Sequence, residues 1–89
     1  MKFTWQESKR QKNLKKHGFD FAHAKQVFDG PVMTVEDDRD YGGEQRFNST
    51  GFLGIRVVTI SHTESDDEIH LISMRKATPH ETESFYEYF

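Results

Sequence analysis

The sequence contains no cysteine, which excludes both a disulfide framework and a thiolate metal site as the means of holding its fold together. No apolar run approaches the roughly 18 residues that a membrane-spanning helix requires, and the first residues lack the apolar stretch of a secretory signal. A soluble protein of a reducing cytosol is therefore expected. Also absent are a P-loop, a nucleophile elbow and a dinucleotide fingerprint, so no cofactor is expected. Without internal repeats, linkers or low-complexity tracts, the 89 residues read as one domain spanning 1–89. A chain of this size buries only about 60–65% of its unfolded surface, so its core is thin.

Net charge is −3, from 15 acidic against 12 basic side chains, which is unfavourable for binding phosphates. The charges are unevenly distributed. Lys2, Lys9, Arg10, Lys12, Lys15 and Lys16 are opposed in the first 16 residues by Glu7 alone, whereas Glu36 to Glu44 carries five acids against Arg39. A second acidic cluster is Glu64, Asp66, Asp67 and Glu68. This pattern is compatible with a basic working face on an acidic body, and equally with a solvated helix.

Gln6 to Lys16 has good helix formers and no Pro or Gly, and His17-Gly18 supplies a C-terminal cation followed by a residue that tolerates a left-handed stop. Asp20 can cap a second helix, in which Phe21, Ala24, Val27 and Phe28 recur at helical spacing before Asp29-Gly30-Pro31. From Pro31 the pattern becomes alternating or β-branched, giving strands at Val32 to Glu36, Gln45 to Thr50, Leu53 to His62 and Glu68 to Met74. The connections are short: an acidic loop with Gly42-Gly43, a turn near Gly51 to Gly54, and Thr63 to Asp67. An antiparallel meander follows. Thr78-Pro79-His80-Glu81 then opens a third helix with a capping box. The expected fold class is α+β: two N-terminal helices, a four-stranded antiparallel sheet and a C-terminal helix.

On the first helix, Lys9, Asn13 and Lys16 fall within about 60° of one another while Leu14 points nearly opposite, so one side is basic and the other anchored. Such a face can meet phosphates and sugar oxygens. Arg46 and Asn48 share a face of the second strand, and Arg56, Val58, Ile60 and His62 share one of the third. If those faces coincide, Arg46, Arg56 and His62 border one surface suited to an anion, although cross-strand ion pairs explain the arginines as well.

Trp5, Lys9, Asn13, the Lys16-His17-Gly18 step, Phe21, Ala24, Phe28, Glu44 with Arg46, Gly51, Val57-Val58 and the run Ile72-Ser73-Met74-Arg75-Lys76-Ala77 with Glu81 together resemble the BrnT family of type II toxin-antitoxin toxins. The resemblance covers nearly the whole chain. It implies a RelE-like fold and a toxin that cleaves RNA and halts translation. It also implies a partner antitoxin, BrnA, with a ribbon-helix-helix segment, whose complex represses its own operon, so that operator DNA is met only through the antitoxin. A dimeric antitoxin of that kind would give a two-plus-two assembly.

Metal-independent RNA cleavage needs a base for the 2′-hydroxyl, an acid for the leaving 5′-oxygen and cations for the phosphate. Arg75, where the fourth strand meets the third helix, is the first choice for the phosphate and Arg46 the second. His62 or His17 can exchange protons, and Glu44 is an alternative base. Each has a plainer explanation: Arg75 can pair with Glu81, Glu81 can serve the capping box, and His17 suits a helix C-terminus. His62 and His70 flank the loop at Thr63 to Glu68, but a hairpin centred near Ser65 puts His70 opposite Ser61, so the two do not converge and no metal site is expected. The aromatic tail, Phe85, Tyr86, Tyr88 and Phe89, exceeds what a thin core can bury and is expected to meet the antitoxin. A non-catalytic corepressor acting with its antitoxin remains the alternative, and a stand-alone RNA-binding module is a third reading.

Overall fold

In the computed structural model, which describes residues 1–89, the chain runs β1 (Lys2–Thr4), α1 (Glu7–His17), a 3₁₀ turn (Phe21–His23), α2 (Ala24–Asp29), β2 (Val32–Asp37), β3 (Arg46–Leu53), β4 (Arg56–Ser65), β5 (Glu68–Lys76) and α3 (Pro79–Tyr88). The sheet order is β1-β5-β4-β3-β2. The last four strands make the expected antiparallel meander, but β1 adds a fifth, parallel to β5, with Lys2 beside Glu68 and Thr4 beside His70. The sheet is therefore mixed and five-stranded rather than four-stranded and antiparallel. Three residues are too few to show an alternation, and it is the edge of β5 that makes them a strand. No helix is long and apolar enough to cross a membrane.

The segment expected to be a single second helix is a 3₁₀ turn followed by a short α-helix, with the Asp20 carboxylate accepting from the Ala22 amide at its start. Gly51, expected in a turn, lies inside β3. A Cβ there would come within 3.0 Å of side-chain carbons of both Val27 and Val32, so the glycine lets α2 sit on the sheet. The turn is instead at Gly54, where φ is 63°. Packed beneath the helices, Phe19, Phe21, Ala24 and Val27 meet Val58, Ile60, Ile69, Leu71 and Met74. Burying each large side chain of this cluster contributes roughly 1.5–3 kcal/mol.

Helix α1 stops at Gly18, whose φ of 77° is left-handed and whose amide donates to the Leu14 carbonyl at 2.9 Å. Leu14 does not anchor the helix, being 39% exposed. The anchor is Asn13, 6% exposed. Its amide nitrogen donates to the carbonyls of Phe19 (3.0 Å) and Met74 (2.9 Å), and its oxygen accepts from the Met74 amide (3.0 Å). Beyond β1 the edge of β5 has no strand beside it, and this side chain stands in for one. Arg10 adds a two-pronged grip on Asp20, at 2.8 and 2.9 Å, which brings that carboxyl down to about 2.

Helix α3 packs on the opposite face of the sheet. Thr78 and Glu81 close the expected capping box. Phe85, buried against Phe52 with ring centroids 5.1 Å apart, is the helix's anchor and is not free for a partner, whereas Tyr86, Tyr88 and Phe89 are exposed.

An irregularity in β5 decides which side chains reach which face. Ser61 pairs with Ser73 but His62 pairs with Leu71, so Ile72 is an extra residue. Ile69 and Leu71 point into the core at an interval of two, and Met74 rejoins them at an interval of three. Consequently His70, paired with Thr63 rather than Ser61, and Arg75, paired with Thr59, both lie on the α3 face although five residues apart.

His62 occupies the other face and is wholly buried, its Nε2 2.7 Å from the Ser49 hydroxyl and its ring against Phe28 and Phe47. It belongs to the core and cannot reach a substrate. Burial lowers its pKa to about 4. The unfolded chain then binds the extra proton first, so stability is full above about pH 6.5 and falls as pH drops from there towards 4, by on the order of 3 kcal/mol. His62→Phe is expected to flatten that part of a pH series of urea midpoints; an unchanged slope would show that His62 does not set it.

Candidate active site

The face shared with α3 is covered at its Phe52 end and open elsewhere. On it the registers bring together Asn48, Ser61 and Ser73 in one row and Thr50, Thr59 and Arg75 in another, with Thr63 beside His70 and Arg46 one residue beyond the last β3–β4 pair, Phe47 with His62. All but Thr50 and Thr59 are partly exposed. Arg46 and His62 do not share a surface, because β3 and β4 pair even with odd positions, and Arg56 goes with His62's face at the far end of the sheet.

Lys9, Glu44, Arg46 and His70 line a cavity of about 190 Å³ with Gln6, Leu71 and Ile72. Arg46 Nε donates to Glu44 Oε1 at 2.7 Å, and its guanidinium lies 3.9 Å from the Tyr41 ring centroid. The Tyr41 hydroxyl donates to Asp37 at 2.7 Å. Arg39 grips the same carboxylate, which the two donors hold well below the usual range, while Asp37 raises the Tyr41 phenol. The acidic loop is thus a mount for Arg46.

Across the cavity the hydrogen bonds of His70 specify its tautomer. Thr4 Oγ1 lies 2.9 Å from Nδ1 and donates its only proton to Glu68 Oε2, also at 2.9 Å. Its oxygen must therefore accept from Nδ1–H, which leaves Nε2 of the neutral ring as a proton acceptor. A base held this way by a third group is a recurrent arrangement in proton transfer.

At the other end of the open face, Arg75 is held by Glu81 through two bonds of 2.7 and 3.0 Å. Glu81 also accepts from the Thr78 amide and from Thr59 Oγ1. Its carboxyl drops to about 2, chiefly because of Arg75. Arg75 Nε is left free of these bonds.

Of the residues singled out from sequence, the structure brings Lys9, Glu44 and Arg46 to one cavity and puts Arg75 on the same face. Lys16 is exposed on α1, Asn13 and His62 are buried in structural roles, and His17 lines a groove at the opposite end of the sheet. The sequence brings up His70 only as a metal-ligand candidate and does not connect it with Thr4 and Glu68, because β1 is too short to read and an unbulged β5 would separate His70 from Arg75.

A search of curated proteins gave no match. The family model of the BrnT ribonuclease toxin of type II toxin-antitoxin systems matches residues 5–81, a span from Trp5 to Glu81 that includes every residue of both clusters except Thr4. The chain belongs to the BrnT family of ribonuclease toxins.

Proposed function

We propose that the toxin cleaves RNA on the open sheet face without a metal ion, and that loss of intact RNA is how it inhibits translation. The observation that carries this reading is the His70 ring, its Nδ1–H committed to Thr4, its Nε2 in no hydrogen bond, and its side chain lining one cavity with Arg46. In the reaction the ribose 2′-oxygen attacks phosphorus and the bond to the 5′-oxygen breaks, leaving a cyclic phosphate and a 5′-hydroxyl. His70 Nε2 takes the 2′-hydroxyl proton, and the 5′-oxygen receives one from solvent. Arg46 and Lys9 neutralise the charge that develops on the phosphate oxygens. Glu44, engaged by Arg46, orients that guanidinium rather than acting as the base. Arg75 holds a neighbouring phosphate, and Lys16, about two turns beyond Lys9, adds positive potential along α1.

Type II membership implies a protein antitoxin. A BrnA-like ribbon-helix-helix protein is proposed, assembled with the toxin as a two-plus-two complex that meets operator DNA through the antitoxin. The test is cleavage of end-labelled RNA by purified, antitoxin-free toxin in EDTA, with the product ends analysed. Cyclic phosphate ends are expected. Arg75→Ala is expected to slow cleavage on the order of tenfold and relieve growth inhibition while leaving the circular dichroism spectrum intact. Equal toxicity would remove Arg75 from the site. A parent protein that neither cleaves RNA nor arrests growth would favour the corepressor reading.

A further inference from the structure

Away from the open face, where β4 begins and β5 ends, a cavity of about 520 Å³ is lined by three basic side chains, His17, Arg56 and Lys76, alternating with Phe19, Ile55 and Val57. No acid lines it. A second cavity of about 590 Å³ shares Lys76, Ala77 and Thr82 with the first and continues beside α3 past Pro79 and Glu83 to Tyr86, so the two make one groove whose cations gather in the first cavity and whose one carboxylate, Glu83, stands in the second.

Its charges are unusual for this chain. Arg10, Arg39, Arg46 and Arg75 each hold a carboxylate, whereas Arg56 holds none and lies 5.8 Å from the Phe19 ring centroid. Lys76 and His17 also have no carboxylate within ion-pair distance. In a chain of net charge −3, Arg56 and Lys76 make the first cavity a positive patch with no acid in its lining. Ile55 stands beside them 98% exposed, and Tyr86 is 58% exposed at the far end. Clustered cations with a projecting apolar residue and an aromatic edge match an extended peptide that brings carboxylates and an apolar side chain together.

We propose that this groove receives an acidic segment of the protein antitoxin, its carboxylates on Arg56 and Lys76 and its apolar side chain against Ile55. The proposal rests on the reading of the chain as a type II toxin, and it locates the partner on a surface separate from the RNA-cleaving cavity. Only the Tyr86 end of the aromatic tail takes part.

The experiment titrates a purified ribbon-helix-helix antitoxin, the partner proposed above, into free toxin by calorimetry, and measures RNA cleavage by the same samples. Arg56→Glu/Lys76→Glu is expected to weaken antitoxin binding on the order of 30-fold while the cleavage rate stays that of the parent. Lys12→Glu/Lys15→Glu makes the same change in net charge on an exposed stretch of α1 outside the groove and is expected to leave affinity unchanged. Ile55→Asp, at a hairpin tip where no packing is lost, tests the apolar contact and is expected to weaken binding as well. Parent-like affinity in the groove variants would overturn the proposal, and if cleavage were lost at the same time the groove would be a contact for RNA instead. Because binding and cleavage are read separately, a parent toxin that binds antitoxin but cleaves nothing would refute the ribonuclease site and still judge the groove.

Discussion

Replacing Asn13 by alanine is expected to destabilise the protein by about 3 kcal/mol and lower Tm by roughly 15 °C. The side chain is buried and makes three hydrogen bonds, to Met74 N, Met74 O and Phe19 O. Alanine leaves those backbone groups without a partner at a sheet edge that α1 continues to shield from water. The loss is set by the desolvation of unpaired groups, which is why it exceeds the worth of an ordinary surface hydrogen bond. Asn13→Asp separates this account from a simple packing defect. It keeps the shape, removes both donors and turns a carboxylate towards two carbonyl oxygens, so its ionised form is disfavoured in the folded state. Its folded pKa is therefore raised, and stability recovers as pH falls and the carboxyl can again donate a proton. Thermal melts of both variants beside Lys9→Ala, which touches no such network, provide the comparison. A melting point for Asn13→Ala close to that of Lys9→Ala would mean that the edge of β5 is satisfied by other means.

The order of elements is legible in the sequence wherever a boundary is written in local chemistry. Gly18 ends α1 because its left-handed φ suits glycine, and Thr78-Pro79 with Glu81 starts α3 by contacts within one turn. Features that depend on remote partners are not legible. β1 is a strand only because of residues more than sixty positions later, and Gly51 reads as a turn until α2 is seen lying on it. The same division holds for the candidate site. Arg46 and Arg75 stand out as cations near strand ends, and Lys9 stands out on an exposed helix. Helical periodicity alone cannot separate Asn13 from its lysine neighbours, since a polar side chain aimed at a free sheet edge looks the same as one aimed at solvent. His62 is misleading for the related reason that a histidine in alternation with Val58 and Ile60 shares their burial. The clue to His70 is subtle: the core interval lengthens from two to three between Leu71 and Met74, and only a bulge reconciles that with continuous pairing.

His70→Gln is expected to lower the single-turnover rate of RNA cleavage by about 10²–10³-fold with little change in RNA affinity. Glutamine preserves most of the volume and can still hydrogen-bond Thr4, but it cannot take a proton from the 2′-hydroxyl. Arg46→Ala is expected to cost a similar factor through lost stabilisation of phosphate charge. Arg46→Lys should not restore it, because an ammonium can neither keep the Nε contact to Glu44 nor stack its charge on Tyr41 as the guanidinium does. Combining His70→Gln with Arg46→Ala should cost much less than the product of the single effects if both act on the same transition state. Thr4→Val separates positioning from chemistry. It removes the acceptor of Nδ1–H, so the tautomer with Nε2 unprotonated loses its preference, and a loss of about tenfold in rate at unchanged RNA affinity is expected. Parent-like cleavage by His70→Gln would transfer the proton step elsewhere and leave Arg46 and Arg75 as the parts of the face that act on phosphate. Full loss in His70→Gln with partial loss in Thr4→Val would instead mean that the short parallel strand β1 serves the reaction as well as the fold, by orienting the base from the edge of the sheet.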